Sequence, residues 1–213
     1  MPDGVASDAA DELRSLGSAT LGESGAQAML PRIKPVWRGA ALAGPALTAR
    51  CAPSDNLAIH VAVAEAAVAG AVLVVDASDE PELGYWGEVL TTAAEAHGIA
   101  GLVIDGGVRD VAALEAHRFP VFASLIALRG ASKVAGGSVG ATVSVGGVTI
   151  EPGDWIVGDV DGVVVIAAAS LEKVLDAARA RATNEQRLFT QLRAGSTTVE
   201  LLGLDPAALD GEA

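Results

Sequence analysis

Ala71-Val-Leu-Val-Val-Asp76, answered downstream by Gly101-Leu-Val-Ile-Asp105 and then by Pro120-Val-Phe-Ala123, decides how this chain folds. The first two runs are short and wholly apolar up to a terminal aspartate, the pattern of a strand buried on both faces. Segments of helical period lie between the three. Val89 to His97 reads as a helix stopped by Gly98, and Asp110 to His117 as a shorter one. Upstream, Leu57 to Ala69 is Ala-rich and stops at Gly70, a residue that commonly ends helices. Buried strands joined by single helices pair in parallel through right-handed crossovers. The expected class is therefore α/β.

Beyond Gly130 the texture changes. Ala141–Val145 and Val148–Ile150 flank Gly146-Gly147, a hairpin signal. Pro152-Gly153-Asp154, Gly158-Asp159 and Asp161-Gly162 punctuate further short strands up to Ala167. Ser170, with Glu172 nearby, is the expected cap of a long helix from Leu171 to about Leu192, and a short, partly apolar tail follows Gly195. No Pro/Ser-rich linker interrupts the chain. Residues 1–213 read as a single domain, with a core over about 40–168 and a projecting helix and tail over about 170–205.

Composition narrows the function. Among 213 residues, 27 are Asp or Glu and 14 are Lys or Arg, a formal net charge of −13. Such a chain lacks the clustered cations that bind nucleic-acid phosphates, and an anionic membrane surface repels it. Apolar residues make up 51% but aromatics only 3%, so the core is built from Ala, Val, Leu and Ile. The lone cysteine, Cys51, excludes an internal disulfide and any multi-cysteine metal site; it reads as a small core residue in a reducing, cytoplasmic compartment. Met1 to Ser15 carries acids and no apolar centre, unlike a signal peptide. The apolar stretch Leu57–Val75 is broken by His60, Glu65 and Gly70, too often for a bilayer span.

Gly136-Gly137-Ser138-Val139-Gly140 matches the nucleophile-elbow pattern. An elbow needs a helix after the serine and a histidine downstream. Here strand-like residues follow, and His60, His97 and His117 all lie upstream, so a Gly-rich turn is the better reading. His97 and His117 close helices, where a cation suits the dipole. His60, inside an Ala-rich helix, is expected to be a hydrogen-bonded, partly buried residue that lines a pocket at most. Nucleotide, zinc and dinucleotide motifs are missing from the sequence.

Ile104-Asp105-Gly106-Gly107-Val108-Arg109-Asp110 leaves the carboxyl end of a buried strand and opens a helix, the place where parallel sheets bind ligands. Gly106 and Gly107 allow close backbone approach, Arg109 offers a bidentate fork to a carboxylate, and Asp105 and Asp110 offer hard oxygen ligands. An arginine beside an acid is also an ordinary ion pair. Gly84-Tyr85-Trp86-Gly87-Glu88 precedes the next helix start, where the N–H groups of residues 87–90 suit an anion. Both loops follow parallel strands, so Glu88 and Asp110 should face one pocket, although Glu88 also fits as a cap of its own helix. Carboxylates without His or Cys select Mg²⁺, Mn²⁺ or Ca²⁺. A hard cation beside Arg is what a 2-oxo acid and its enolate require.

Gly87-Glu88 followed, after twenty intervening residues, by Arg109-Asp110 resembles the acid-x20-Arg-Asp signature of the RraA-like family. That family includes the class II 4-hydroxy-4-methyl-2-oxoglutarate/4-carboxy-4-hydroxy-2-oxoadipate aldolases and the regulator of ribonuclease activity A. The likeness continues through the three strand runs, Pro152-Gly-Asp154 and Asp161-Gly-Val-Val-Val165, over roughly residues 40–205. It implies a swivelling β/β/α-type fold, assembled as a homotrimer or as a hexamer of two trimers, with sites at subunit interfaces. It further implies that Asp110 is the direct ligand of Mg²⁺, Mn²⁺ or another divalent cation. Arg109 then holds the pyruvate moiety, Glu88 orders water, and the N–H groups of Val89 and Leu90, beside Gly87, bind the substrate carboxylate. Glu185, from a neighbouring subunit's C-terminal helix, completes the site. Two departures stand out: Glu replaces the Asp of characterised aldolases at position 88, and Ser124-Leu125-Ile126 follows Pro120–Ala123 where many members have a basic residue and Gly. The implied activity is a metal-dependent lyase releasing pyruvate from a 4-hydroxy-2-oxo dicarboxylate or from oxaloacetate. The alternative is a non-catalytic regulator that binds a ribonuclease.

Overall fold

The computed structural model describes residues 3–134 and 136–210. Of the N-terminal stretch, Met1 and Pro2 lie outside the described residues, and the remainder opens helix α1, Asp3–Gly22, broken at Gly17. Two short strands follow, β1 (Gln27–Ala28) and β2 (Lys34–Pro35), then the long β3 (Leu42–Cys51) and α2 (Leu57–Ala64). The crossover unit comprises β4 (Val72–Asp76), β5 (Gly84–Trp86), α3 (Glu88–Ala96), β6 (Gly101–Val108), α4 (Val111–His117) and β7 (Val121–Ile126). The β-rich part comprises β8 (Gly137–Val139), β9 (Val143–Val145), β10 (Val148–Ile150), β11 (Trp155–Gly158) and β12 (Val163–Ile166). The chain closes with α5 (Leu171–Arg193) and α6 (Thr198–Leu202).

The ten-stranded sheet runs β1-β12-β11-β3-β4-β6-β7-β2, with β5 on β6 and β8 on β3. β3, β4, β6 and β7 are mutually parallel, and every residue of β4 and β6 is buried, as their unbroken apolar runs require. One face packs under α2, α3 and α4, around Ile59, Leu90, Ile104, Leu114 and Trp86. The other face is closed by the β9–β10 hairpin through Val143, Val145, Val148 and Ile150. Its turn is Gly146-Gly147, with φ of 57° and 78°, the double positive φ that two-residue hairpins demand. α1 and α5 cover β11 and β12 through Leu13, Leu21, Val174 and Leu175. This is the mixed α/β arrangement with a C-terminal helix that the sequence suggested.

Three expectations change. The first is that α2 ends at Ala64, short of Ala69: Val68 is exposed, and Gly70, at φ 80°, turns the chain into β4 while its N–H bonds the Gly98 carbonyl. The second is that β6 runs on to Val108, past Ile104. A register shift between Ile104 and Gly107 lets its last residues pair with both β5 and β7. A Cβ on Gly107 would lie 2.5 Å from the Leu83 carbonyl oxygen, and one on Gly106 2.9 Å from Ala77 Cβ. Those glycines admit neighbouring chain, not a ligand. Finally, Ser170 makes no side-chain cap; it closes a 3-10 turn (Ala168–Ser170), and Asp154 Oδ1 accepts the Ala168 N–H at 3.0 Å instead. No helix among the described residues is long and apolar enough to cross a membrane.

Candidate active site

The site lies where β5 and β6 end together. The Arg109 N–H donates to the Trp86 carbonyl at 2.9 Å, tying the end of β6 to the end of β5. Immediately after each strand a helix begins, α3 at Glu88 and α4 at Val111. Asp110, the residue before α4, has φ 59° and ψ 34° and makes no side-chain cap to its own helix. A non-glycine residue in that left-handed region carries strain, and here the strain re-aims the carboxylate. Oδ2 of Asp110 accepts the N–H of Glu88 at 3.0 Å, linking the first turns of both helices.

Glycines make room for the two functional side chains. A Cβ on Gly87 would sit 2.3 Å from Asp110 Oδ2 and 3.2 Å from Arg109 Cγ. On Gly84 it would meet Arg109 Cδ at 3.1 Å, and on Gly130 it would meet Arg109 Nη1 at 2.9 Å. Arg109 thus lies along a groove of three glycines, its Nε 3.9 Å from Asp110 Oδ2. Each of these two side chains stays 43% exposed, open to a ligand. The sequence marks Gly84 only as the head of the Gly84–Glu88 stretch and Gly130 only as a boundary, because a glycine in a strand or loop has many causes.

A cavity of about 190 Å³ opens over this pair, lined by Asn56, His60, Gly87, Leu90, Arg109, Asp110 and Lys133, among others. The N–H groups of Val89 and Leu90 fall in the first turn of α3, where no intrahelical acceptor exists. The Glu88 N–H, by contrast, is already taken by Asp110. Its carboxylate turns away from the cavity: Oε1 lies 3.7 Å from His117 Nε2, while His117 Nδ1 is 2.9 Å from Glu95. Glu88 is the outward residue of the α3 turn facing the end of α4, so the expected meeting of Glu88 and Asp110 side chains in one pocket does not occur within the chain. Glu185 pairs with Arg181 on α5 at 3.0 Å. The role the resemblance gives Glu185 belongs to a neighbouring subunit's site.

Asp105 is corrected from ligand to strut. Buried on the interior strand β6, it takes a two-point contact from Arg32, at 2.6 and 3.1 Å, and a third bond from the Gly146 N–H at 3.1 Å. That network pins the β9–β10 hairpin to the sheet. Ser124-Leu125-Ile126 also lies outside the cavity lining; Ser124 Oγ donates to the Gly106 carbonyl, and Leu125 packs against Gly107. Gly137-Ser138-Val139 forms β8 on the edge of β3, so no elbow exists there. Cys51 is buried, and burial pushes its thiol up to about 12, consistent with an inert core residue.

The donors at the cavity suit a hydrated hard cation. Among the described residues, no hydrogen bond holds Asp110 Oδ1, and no group of three or more His, Cys, Asp or Glu is placed to hold a metal ion by itself. A cation bound at Asp110 would keep mostly water and substrate oxygens, the coordination Mg²⁺ favours.

The family model described as "RraA-like: Aldolase/RraA" matches residues 6–165. This chain belongs to the RraA-like family. It is 36% identical over 186 residues, 87% of this chain and 82% of the relative, to a Halalkalibacterium halodurans protein provisionally named 4-hydroxy-4-methyl-2-oxoglutarate aldolase. Its structure resembles an uncharacterized Pseudomonas syringae pv. tomato protein, at TM-score 0.78 and 29% identity over 90% of this chain and 95% of that one. It also resembles the RNA-processing inhibitor RraA from Thermus thermophilis, at TM-score 0.61 and 28% identity over 66% of this chain and 85% of that one. This RraA-like chain is thus similar both to a protein provisionally named an aldolase and to one named an RNA-processing inhibitor.

Proposed function

We propose that this protein is a divalent-metal-dependent carbon–carbon lyase that releases pyruvate. Its substrates would be a 4-hydroxy-2-oxo dicarboxylate of the 4-hydroxy-4-methyl-2-oxoglutarate type, by retro-aldol cleavage, or oxaloacetate, by decarboxylation. The observation that carries this reading is the meeting of the Arg109 guanidinium and the Asp110 carboxylate, at 3.9 Å, beside the first turn of α3 in one cavity. Both reactions leave the electron pair of the broken bond on C3 of pyruvate, delocalised onto the C2 oxygen. Arg109, fixed along its glycine groove, donates to that oxygen as charge develops. The N–H groups of Val89 and Leu90, at the positive end of α3, hold the C1 carboxylate. When bound, Mg²⁺, Mn²⁺ or a similar cation supplies Lewis-acid stabilisation of the same charge, with Asp110 as its direct protein ligand. Glu88 positions Asp110 through its backbone N–H, while its carboxylate faces His117.

Glu185 enters from an adjacent subunit of a homotrimer or a hexamer of two trimers. Supporting an assembly, α5 is buried only as far as Ala178, and Phe189, Leu202 and Leu204 beyond it are exposed. A contact regulator of a ribonuclease is the second reading, favoured by the likeness to the Thermus thermophilis inhibitor.

Pyruvate release measured through lactate dehydrogenase, with wild type and Arg109→Ala, tests the proposal. Turnover of either substrate that falls by about 10³-fold in the variant supports it. Wild type without turnover on both substrates refutes it and leaves the regulator.

A further inference from the structure

Asn56 and His60 open α2 four residues apart, on one face of the helix, and both line the cavity that holds Arg109 and Asp110. Asn56 is buried, and its Nδ2 donates to the Tyr85 carbonyl at 2.7 Å. That bond fixes which end of the amide is which. Oδ1 is left without a hydrogen-bond partner among the described residues, and so is the buried His60 Nε2. Asn56 is free of any capping duty because Asp55 Oδ1 accepts the Leu57 N–H at 2.8 Å. Asp55 also receives Ser132 Oγ and the Val134 N–H, both at 2.6 Å, and so draws the 130–134 loop against α2 as the wall of the cavity.

Two buried polar atoms without partners are uncommon in one small cavity, and each is costly unless a ligand or water completes it. An amide oxygen is completed only by a donor, so this end of the cavity selects a hydroxyl over a carboxylate. Burial first, and the Lys133 ammonium second, hold the His60 imidazole below its usual range, against the opposing pull of Asp55. That shift favours the neutral ring, and the tautomer protonated on Nδ1 is the one that leaves a lone pair on Nε2.

We propose that Asn56 and His60 form the subsite for a hydroxyl on C4 of the substrate: the hydroxyl donates its one proton to His60 Nε2, which takes it during aldol cleavage, and a water that donates to Asn56 Oδ1 donates its other proton to the hydroxyl oxygen. The inference rests on the lyase reading above and adds to it the group that receives the proton. As the O–H bond breaks, its pair forms the C4 carbonyl, the C3–C4 bond breaks, and that pair remains on C3 as the pyruvate enolate. A solvent proton then ends on C3, and His60 returns its proton to solvent, so no net proton is consumed. Oxaloacetate has no C4 hydroxyl, and its decarboxylation makes no use of this transfer.

The test compares wild type with His60→Gln and Asn56→Leu on 4-hydroxy-4-methyl-2-oxoglutarate and on oxaloacetate, in the same Mg²⁺-loaded preparations. His60→Gln should lose about 100-fold in kcat on the hydroxy acid and at least tenfold less than that on oxaloacetate. Asn56→Leu should chiefly raise KM for the hydroxy acid. The ¹⁵N shift of His60 Nε2 in the metal-free protein should move on addition of the hydroxy acid and not of oxaloacetate. An equal loss on both substrates, or no loss on either, overturns the inference while leaving the lyase reading in place. So does a wild type that decarboxylates oxaloacetate but leaves the hydroxy acid intact. A wild type inactive on both removes the lyase reading itself.

Discussion

Replacing Gly87 with alanine isolates the Asp110 carboxylate from everything else in the fold. At φ −168° and ψ −166° the backbone there is extended, so alanine introduces no strain of its own. The added Cβ, however, falls 2.3 Å from Asp110 Oδ2, and the carboxylate must retreat by about 0.7 Å merely to reach 3.0 Å, the shortest separation such atoms adopt. Arg109 Cγ and Asp110 Cγ, each 3.2 Å from that Cβ, crowd it further. The retreat breaks the Glu88 N–H bond, worth about 1 kcal/mol at this half-exposed site, and lowers Tm by about 3 °C. Displacement of a ligand and positioning group by most of an ångström costs far more in turnover, about 100-fold or 2.7 kcal/mol in kcat/KM. Gly87→Ala should therefore be folded, nearly as stable as wild type, and almost inactive in the coupled pyruvate assay. A variant with wild-type kcat/KM would refute the placement of Asp110 at the centre of the chemistry.

Asp105→Asn removes the charge partner of Arg32 and should cost about 2 kcal/mol in denaturant unfolding, discounted for the half-exposed arginine, while pyruvate release per folded enzyme is retained. Arg109→Lys keeps the charge but loses the planar fork the glycine groove accommodates, and should lower kcat/KM by about 10–100-fold. His117 is held above its usual range by its hydrogen bond to Glu95 and then by Glu88. A raised folded value means a stabilisation present in full below the ordinary histidine range near 6.5 and lost as pH rises through the folded value. His117→Ala should therefore lower Tm at pH 5.5 and leave it almost unchanged at pH 9.

The parallel centre of the sheet was legible because β4 and β6 are buried on both faces, a demand that writes itself into the sequence as unbroken apolar runs. Gly146-Gly147 was legible because a two-residue hairpin leaves few other choices. What escaped was set by contacts distant in sequence. Asp105 and Asp110 look alike beside Gly106-Gly107; only Arg32 and the Gly146 N–H, brought up by the fold, make one structural and leave the other at the cavity. The same glycines signal close approach in either case, and which partner approaches depends on the register shift in β6. His60 read as an ordinary satisfied histidine because its unpartnered Nε2 becomes visible only when α2 is seated against β5 and the 130–134 loop. An Asn preceding a helix, with His four residues on, was the available signal. Glu88 misled because its spacing fixes where the residue starts α3, not which way its carboxylate points.

Pyruvate release from oxaloacetate and 4-hydroxy-4-methyl-2-oxoglutarate by EDTA-treated protein, before and after added Mg²⁺, in wild type and Asp110→Ala, tests the central claim most directly. The account predicts turnover that appears only with Mg²⁺ and only when Asp110 is present. Full Mg²⁺-dependent turnover by Asp110→Ala, or turnover by wild type that ignores EDTA, would contradict it.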